Sequence, residues 1–409
     1  MRSGLKWAVV AGLLVASGCA ARGGDADSWA TKTHPDVLAA ADLQYYWQAR
    51  LPLSRGETIV DMYRLDENLY FLTNCNRLVA MDAARGLPLW SFPVAPVGTK
   101  VFRACHADRA NLTPGPVSII NVLEPEKAQR VEFRPVIINT VNQLFVLDRE
   151  TGRQMRDIKL DFPANTAGAS DGQYFYVGGG DGKAHSVNLQ VGQPMWSLNT
   201  GAMLVAPVSA WGGRVYIGGT DLNVYVALGA TKKAEVNWKQ SVGGAVMAPL
   251  AVDSRGCFVP CMDKRLYAFD SATGYRRQGW DAPFATGSPL VDGPQLSASS
   301  VFQYARADGL HAINIVNGKA RWNLPQGRMV LAILDSTVVV LGRDGSLLLT
   351  DEIKGTVKTR IPLTGFNRFA ANTESPAVFV ASRNGLVASI RPLSAGRLTA
   401  EMLRPAEQP

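Results

Sequence analysis

The chain has 409 residues, with 42 Lys and Arg against 34 Asp and Glu, a formal net charge of +8, and only 19% charged residues. That length exceeds what one small core needs, which leaves two domains or a repeat array. Such a surplus could favour an anionic surface or partner, but the basic residues are scattered through loops without a run of like charge, which argues for solvated loops, and no nucleic-acid partner is expected.

The N-terminus is MRSGLKWAVVAGLLVASGCA. Arg2 and Lys6 precede an apolar stretch over 7–16 and then small residues, the pattern of an export signal and too short to span a bilayer as a stable helix. Ala16, Ser17 and Gly18 before Cys19 resemble the lipobox of bacterial lipoproteins, with Ala16 where Leu is usual. The resemblance implies cleavage of a signal peptide over 1–18 and diacylation of Cys19; Ala20 after it resembles the outer-membrane class. Removing 1–18 takes away Arg2 and Lys6 and no acid, so the charge falls from +8 to +6. No later segment reaches about 18 uninterrupted apolar residues. Residues 19–45 are expected to form a tether rich in Ala, Gly, Asp and Thr, with a short helix in PDVLAAADLQYY.

From Tyr46 the chain is periodic. GRVYIGGTDLNVYVAL at 213, DKRLYAFDSATGYRRQGW at 263 and DGLHAINIVNGKARW at 308 each give a strand, a turn, a second strand, a turn, and then usually Trp. The second turn carries Asp or Asn four residues before Gly: Asp82 with Gly86, Asp148 with Gly152, Asn188 with Gly192, Asp270 with Gly274, Asn314 with Gly318, Asp351 with Gly355. A short acceptor side chain bonds the turn backbone there, and Gly takes the positive φ. Asp181-Gly182, Asp308-Gly309, Asp344-Gly345 and Asn384-Gly385 mark the first turn as a tight hairpin. The markers recur at about 40 residues, but Asp82 and Asp148 are 66 apart, so an insertion over about 99–131 separates the first two units.

Eight units follow, with first strands near 69, 135, 174, 215, 257, 301, 338 and 378, most of them preceded by a further strand as in MLVAPVSA and VMAPLAVD. Four strands per unit without a helical pattern is the arithmetic of a β-propeller. The expectation is an all-β, eight-bladed ring over 46–392 and a polar tail over 393–409. Trp90, Trp196, Trp238, Trp280 and Trp322 fall at the start of the outermost strand, where a wide ring can cover the seam to the next blade. The eighth unit lacks such a strand, and YYWQARLPL around Trp47 is expected to supply it and close the ring.

These units resemble the PQQ-like (quinoprotein-type) β-propeller repeat, most clearly in GRVYIGG with Trp238, LYAFDSATG with Trp280 and GQYFYVGGGDG with Trp196. The likeness covers about 46–392 and is specific for the repeat, not for an activity. Quinoprotein dehydrogenases share it, but they are typically longer and many carry two adjacent Cys residues, which this chain lacks. The signal, length, blade number and closing strand resemble the propeller lipoproteins of the outer-membrane β-barrel assembly machinery. That implies a non-enzymatic scaffold at the outer membrane, facing the periplasm, whose partners are envelope proteins, including barrel-assembly components. The alternative implied by the repeat is a PQQ-dependent dehydrogenase or a propeller that binds a small ligand.

Chemistry is sparse. His185 and His311 occupy the slot that holds Phe145, Tyr225 and Tyr267 in other units and read as ring-packing residues; His34 lies in the tether and His106 beside Cys105 in the insertion. No two-His spacing, Cys-x-x-Cys pair or carboxylate cluster suggests a metal, and VGGGDGK at 177 lacks the Ser or Thr and the helix of a phosphate loop. No catalytic, cofactor-binding or metal residue is assigned, and no cofactor is expected. Cys257 and Cys261, four apart on one strand, stand about 13 Å apart and cannot bond each other. Export permits disulfides, and Cys75 with Cys105 is the expected bridge. The insertion carrying Cys105 is expected to bear partner binding, because extra loops on repeats often do.

Overall fold

The computed structural model describes residues 28–115, 129–399 and 402; the expected signal peptide and Cys19 lie outside the described residues. Eight four-stranded antiparallel sheets follow one another along the chain. In blade 4 they are Ser209–Trp211, Arg214–Gly218, Asn223–Leu228 and Val236–Ser241, from the innermost strand to the outermost. The middle strands are sandwiched between neighbouring blades, so both of their faces are apolar: Tyr174–Gly178 is buried throughout. An outermost strand has one wet side, and Pro88–Pro93 shows it by alternating exposure.

Blade 8 takes its outermost strand from the other end of the chain. Leu43–Arg50 pairs antiparallel with Leu386–Pro392, from Leu43 opposite Pro392 to Arg50 opposite Leu386. Segments from the two ends of the ring are thus hydrogen-bonded into one sheet, which locks the closure. A short helix, Pro35–Ala39, precedes that strand, and its Leu38 is fully buried between blades 7 and 8.

The tryptophans sit on the seams. Each indole Nε1–H donates to a backbone carbonyl in the second turn of the next blade: Trp90 to Arg149 (2.8 Å), Trp196 to Gly229 (3.1 Å), Trp238 to Ser271 (3.2 Å), Trp280 to Ile315 (3.0 Å) and Trp322 to Glu352 (2.8 Å). Trp47 does the same to Ala83 at 3.1 Å, so the closing strand brings its own seam residue. Trp280 departs from the others in backbone only. It lies in a turn ahead of the two-residue outer strand Phe284–Ala285, yet its indole reaches the same carbonyl position.

The Asp-to-Gly turns have a second cause beyond local geometry. Gly274, at φ +74°, lies flat beneath the Trp238 ring, and a Cβ there would stand 2.5 Å from the indole Cδ2. Gly86 meets Trp47 in the same way, at 2.5 Å. Positive φ and the covering ring therefore both select glycine. Gly201 has φ +77° and nothing within 4 Å, so it isolates the backbone effect. Gly201→Ala is expected to cost about 1 kcal/mol, and Gly274→Ala at least about 2 kcal/mol because the indole must also move. Urea unfolding midpoints measure the difference; equal losses would show that the tryptophan does not constrain Gly274.

Candidate partner-binding face

One face of the ring carries the turns between second and third strands together with the loops that cross from one blade to the next. Backbone bonds tie the two sets. The Leu204 N–H donates to Gly179 O (3.3 Å), Val246 to Gly219 (3.1 Å), Met262 to Ala245 (3.0 Å) and Leu290 to Cys261 (3.2 Å). In each crossing loop one apolar residue is locked inside, and its neighbour is thereby turned out. Leu204, Val246 and Leu290 are fully buried, whereas the adjacent Met203, Met247 and Val291 are 51%, 39% and 55% exposed. Leu222, 46% exposed, joins them from the blade 4 turn, where it holds a left-handed φ of 66°. A γ-branched residue held there is unusual and marks a position under constraint. Blades 3 to 5 therefore present a methionine-containing apolar sector on a fixed backbone, the kind of surface that marks a docking site.

Beneath this sector a repeated ring-to-carboxylate contact braces the turns. Tyr225 and Tyr267 hydroxyls donate to Asp221 and Asp263, and His185 and His311 ring nitrogens meet Asp181 (3.0 Å) and Asp308 (3.1 Å). The two histidines thus occupy the tyrosine slot. His185 also stacks on Phe162 at 3.6 Å. Burial raises Tyr225 to about 12, so it stays a donor. Among the described residues no group of His, Cys, Asp and Glu could hold a metal ion. At the centre of this face a cavity of about 480 Å³ is lined by Asp61, Arg103, Tyr304, Arg328, Arg368 and Phe369, among others.

The stretch expected as an insertion contains two different things. Cys105–His106 is the innermost strand of blade 2, pairing with Val136 and Ile137. The excursion follows it, between that strand and Pro135–Asn139, and leaves the ring on the face opposite the methionines. Its described part forms a small hairpin, Ala110–Leu112 with Val131–Phe133. Deleting 101–131 would therefore remove a blade strand as well as a loop. The expected Cys75–Cys105 bridge is absent: both thiols are free, Cys75 on an exposed turn of blade 1 and Cys105 within the adjoining sheet. Cys257 and Cys261 are buried free thiols on one strand.

Two arginines that sequence reasoning passed over hold the excursion. Arg156 stands opposite Val146, where Trp90 stands opposite Ala80 in blade 1, so it fills the seam position of blade 2. It is fully buried and donates to Gln190 O (2.7 Å) across the seam and to Gly115 O (3.1 Å) in the excursion. Arg149, also buried, donates to Ala107 O at 2.6 Å. The signal was available: Trp90, Trp196 and Trp322 each follow the turn glycine by four residues, and so does Arg156.

A sequence-family model described as outer membrane protein assembly factor BamB matches residues 38–279. No curated protein sequence matches the chain. Among solved structures, BamB from Moraxella catarrhalis superposes with a TM-score of 0.62 at 15% identity, covering 85% of this chain and 97% of that one. The computationally designed Ika8 protein superposes with a TM-score of 0.59 at 15% identity, covering 83% and 98%. At such identity both likenesses speak to the fold alone.

His106 anchors the root of the excursion. Its Nε2 meets the Tyr70 hydroxyl at 2.7 Å and its Nδ1 meets Asp66 at 2.7 Å, while Asn68 donates to the same hydroxyl. Burial holds His106 below its ordinary 6.5, with the Asp66 bond opposing, and that bond holds Asp66 below its ordinary 3.8. The unfolded chain takes up a proton near pH 6.5 that folded His106 refuses, so stability falls as pH drops below that value. Asp66 adds to the fall at lower pH, because its contribution is complete above 3.8 and is lost through its depressed folded value. His106→Gln is expected to lower stability by about 1–3 kcal/mol at neutral pH and to flatten the loss on acidification. Near pH 6.5 the residual slope belongs to His185, also held low by burial, and at lower pH to paired carboxylates such as Glu57, which Arg77 holds well below its ordinary range. Thermal unfolding across that pH range measures it; an unchanged slope would remove His106 from the account.

Proposed function

The chain belongs to the family described as outer membrane protein assembly factor BamB, and we propose that it works as a non-enzymatic protein-binding scaffold in the bacterial cell envelope. In this reading a lipid on Cys19 tethers it to the outer membrane, facing the periplasm, and it holds a component of the barrel-assembly machinery. The observation that carries the reading is the apolar sector of blades 3 to 5. Met203, Met247 and Val291 are turned outward by buried neighbours, so the surface is already in its binding shape and docking costs little ordering. Asp181, Asp221 and Asp263 around the sector are engaged in bracing the turns, while Lys183 and Lys264 stand exposed at its edge, so apolar contact with a basic rim is its chemistry.

In-cell crosslinking of the tagged protein followed by mass spectrometry tests the partner. The wild type is expected to bring down barrel-assembly components, and Met203→Glu with Met247→Glu to reduce their recovery on the order of 10-fold or more. Both side chains are exposed, so the ring folds as before. Full recovery with the double variant would sink the proposed docking surface, and a wild type that captures none of these components would sink the pathway. The anchor has its own test. With the signal over 1–18 exchanged for one cleaved without lipidation and Cys19 replaced by Ser, the protein is expected to move from the membrane fraction to the soluble one, and unchanged retention would exclude the lipid as its anchor.

A further inference from the structure

The methionine-bearing face has a different chemistry on its other side. In blades 6, 7 and 8 the turns between second and third strands carry Arg306, Arg343 and Arg383, all exposed. Arg343 packs over the Tyr304 ring at 5.5 Å and donates to the Arg306 carbonyl at 2.8 Å, so these two turns are joined. The Arg383 carbonyl accepts from Ile59 N–H, which ties the third turn to blade 1. Arg55, in the loop entering blade 1, and Arg328, at the start of the inner strand of blade 7, extend the sector and are exposed. The acids in these loops are engaged: Asp308 with Gly287 N–H and His311, Asp344 with Ser346 and Arg360, Glu57 with Arg77.

The chain enters the ring beside this sector. Thr33 is bonded to Pro362 O (3.1 Å) and Thr364 N–H (2.9 Å), and Trp29 lies against Phe366 and Tyr45, all at the crossing loop of blade 7 or the blade 8 strand next to it. Only nine positions separate Ser28 from Cys19, a reach of about 30 Å even when fully extended.

We propose that Arg306, Arg343 and Arg383, with Arg55 and Arg328, form a docking surface for anionic lipid headgroups, so that the propeller rests on the membrane by the sector next to its tether. The tether argument rests on the lipid-anchor reading; the arginine sector stands without it. Charge complementarity selects the occupant. Five exposed guanidinium groups stand on one sector, with Asp308, Asp344 and Glu57 engaged within the protein and, among the described residues, only Asp292 exposed beside Arg328. That leaves a net positive surface, which suits anionic headgroups rather than a pocket ligand. The methionine sector lies across the ring on the same face, so the ring tilts onto its blade 6 to 8 side, which lifts blades 3 to 5 away from the bilayer.

The test uses the chain from Ala20 to Pro409, which bears neither the signal peptide nor a lipid, in flotation with phosphatidylethanolamine–phosphatidylglycerol vesicles and with phosphatidylcholine vesicles. Binding is expected to the first and not the second, and to weaken with salt. Arg306→Gln, Arg343→Gln and Arg383→Gln together are expected to weaken it on the order of 100-fold, from roughly fivefold for each arginine. Lys232→Gln, Lys233→Gln and Lys319→Gln make the same charge change on the opposite face and are expected to leave binding intact. No binding to anionic vesicles, or equal loss in the control variant, would overturn the proposal. So would vesicle binding that survives the arginine variant while protein crosslinks vanish, since the sector would then be a protein surface. Because the probe carries no lipid, a failed anchor and a failed docking surface give separate results.

Discussion

The bond from an indole N–H to a turn carbonyl, made across the gap between blades, is the constraint on which the rest of this ring depends. A four-stranded sheet satisfies its own backbone but leaves two apolar faces, and nothing within one blade specifies how the next should sit. At each tryptophan seam a carbonyl at the start of the second turn points sideways into the seam, where it would be an unpaired buried acceptor. In five blades it is the carbonyl just after Asp82, Asp148, Asp270, Asn314 or Asp351, and in blade 4 that of Gly229 after Leu228. The tryptophan of the preceding blade supplies the donor and covers the seam with the same ring. A net hydrogen bond of about 1 kcal/mol is modest beside the cost of several kcal/mol for losing a buried indole. Its geometric effect is larger, because it fixes the angle between blades, and at five of the six tryptophan seams a turn glycine leaves room for the ring.

The two seams without a tryptophan show that the constraint must be met by other means. Arg156 stands at the blade 2 position and bonds Gln190 O, but a guanidinium is narrower than an indole and carries a charge. Burial lowers its pKa, and its Nε has no partner. The excursion hairpin fills what is left: Ala110, Leu112 and Phe133 are buried with Met155 and Leu189 in one cluster. In blade 7 the corresponding residue is Thr359, opposite Leu349. There the N-terminal segment does the filling, with Leu38 buried beside Ile361 and Leu363 and Trp29 packed against the same cluster. Both departures from the repeat are covered by the two segments that lie outside it.

This explains how much could be read in advance. The ring, its eight blades and the closing strand around Trp47 followed from spacing, because each turn is a local event whose residues lie within five positions. The tryptophans were visible for the same reason. The role of Arg156 was not, although its spacing from Gly152 matches the tryptophans, because its partners come from Gly115 and Gln190. Cys105 was misplaced because the step of 66 residues gives the length of an excursion and not its point of departure. Met203 and Met247 were invisible because their exposure is decided by the burial of Leu204 and Val246. The arginines looked scattered, yet Arg306, Arg343 and Arg383 lie 37 and 40 residues apart. That is one blade each, so the fold gathers them onto one face.

A closed ring gives such gathered sectors a fixed relation. Apolar blades 3 to 5 and arginine-bearing blades 6 to 8 share a face, and both sets of turns are hydrogen-bonded to the crossing loops beside them. Neither sector can move without breaking those bonds or the seams below. A surface held this way loses little entropy on docking, which suits a scaffold that makes few specific polar contacts. Under the proposed lipid anchor it would also separate two attachments that otherwise compete: the described chain enters beside the arginines, so a tether and a charged surface would act together on one side of the ring. The apolar loops stay open on the other. The excursion, rooted by His106, Arg149 and Arg156, emerges on the opposite face and does not intrude on either.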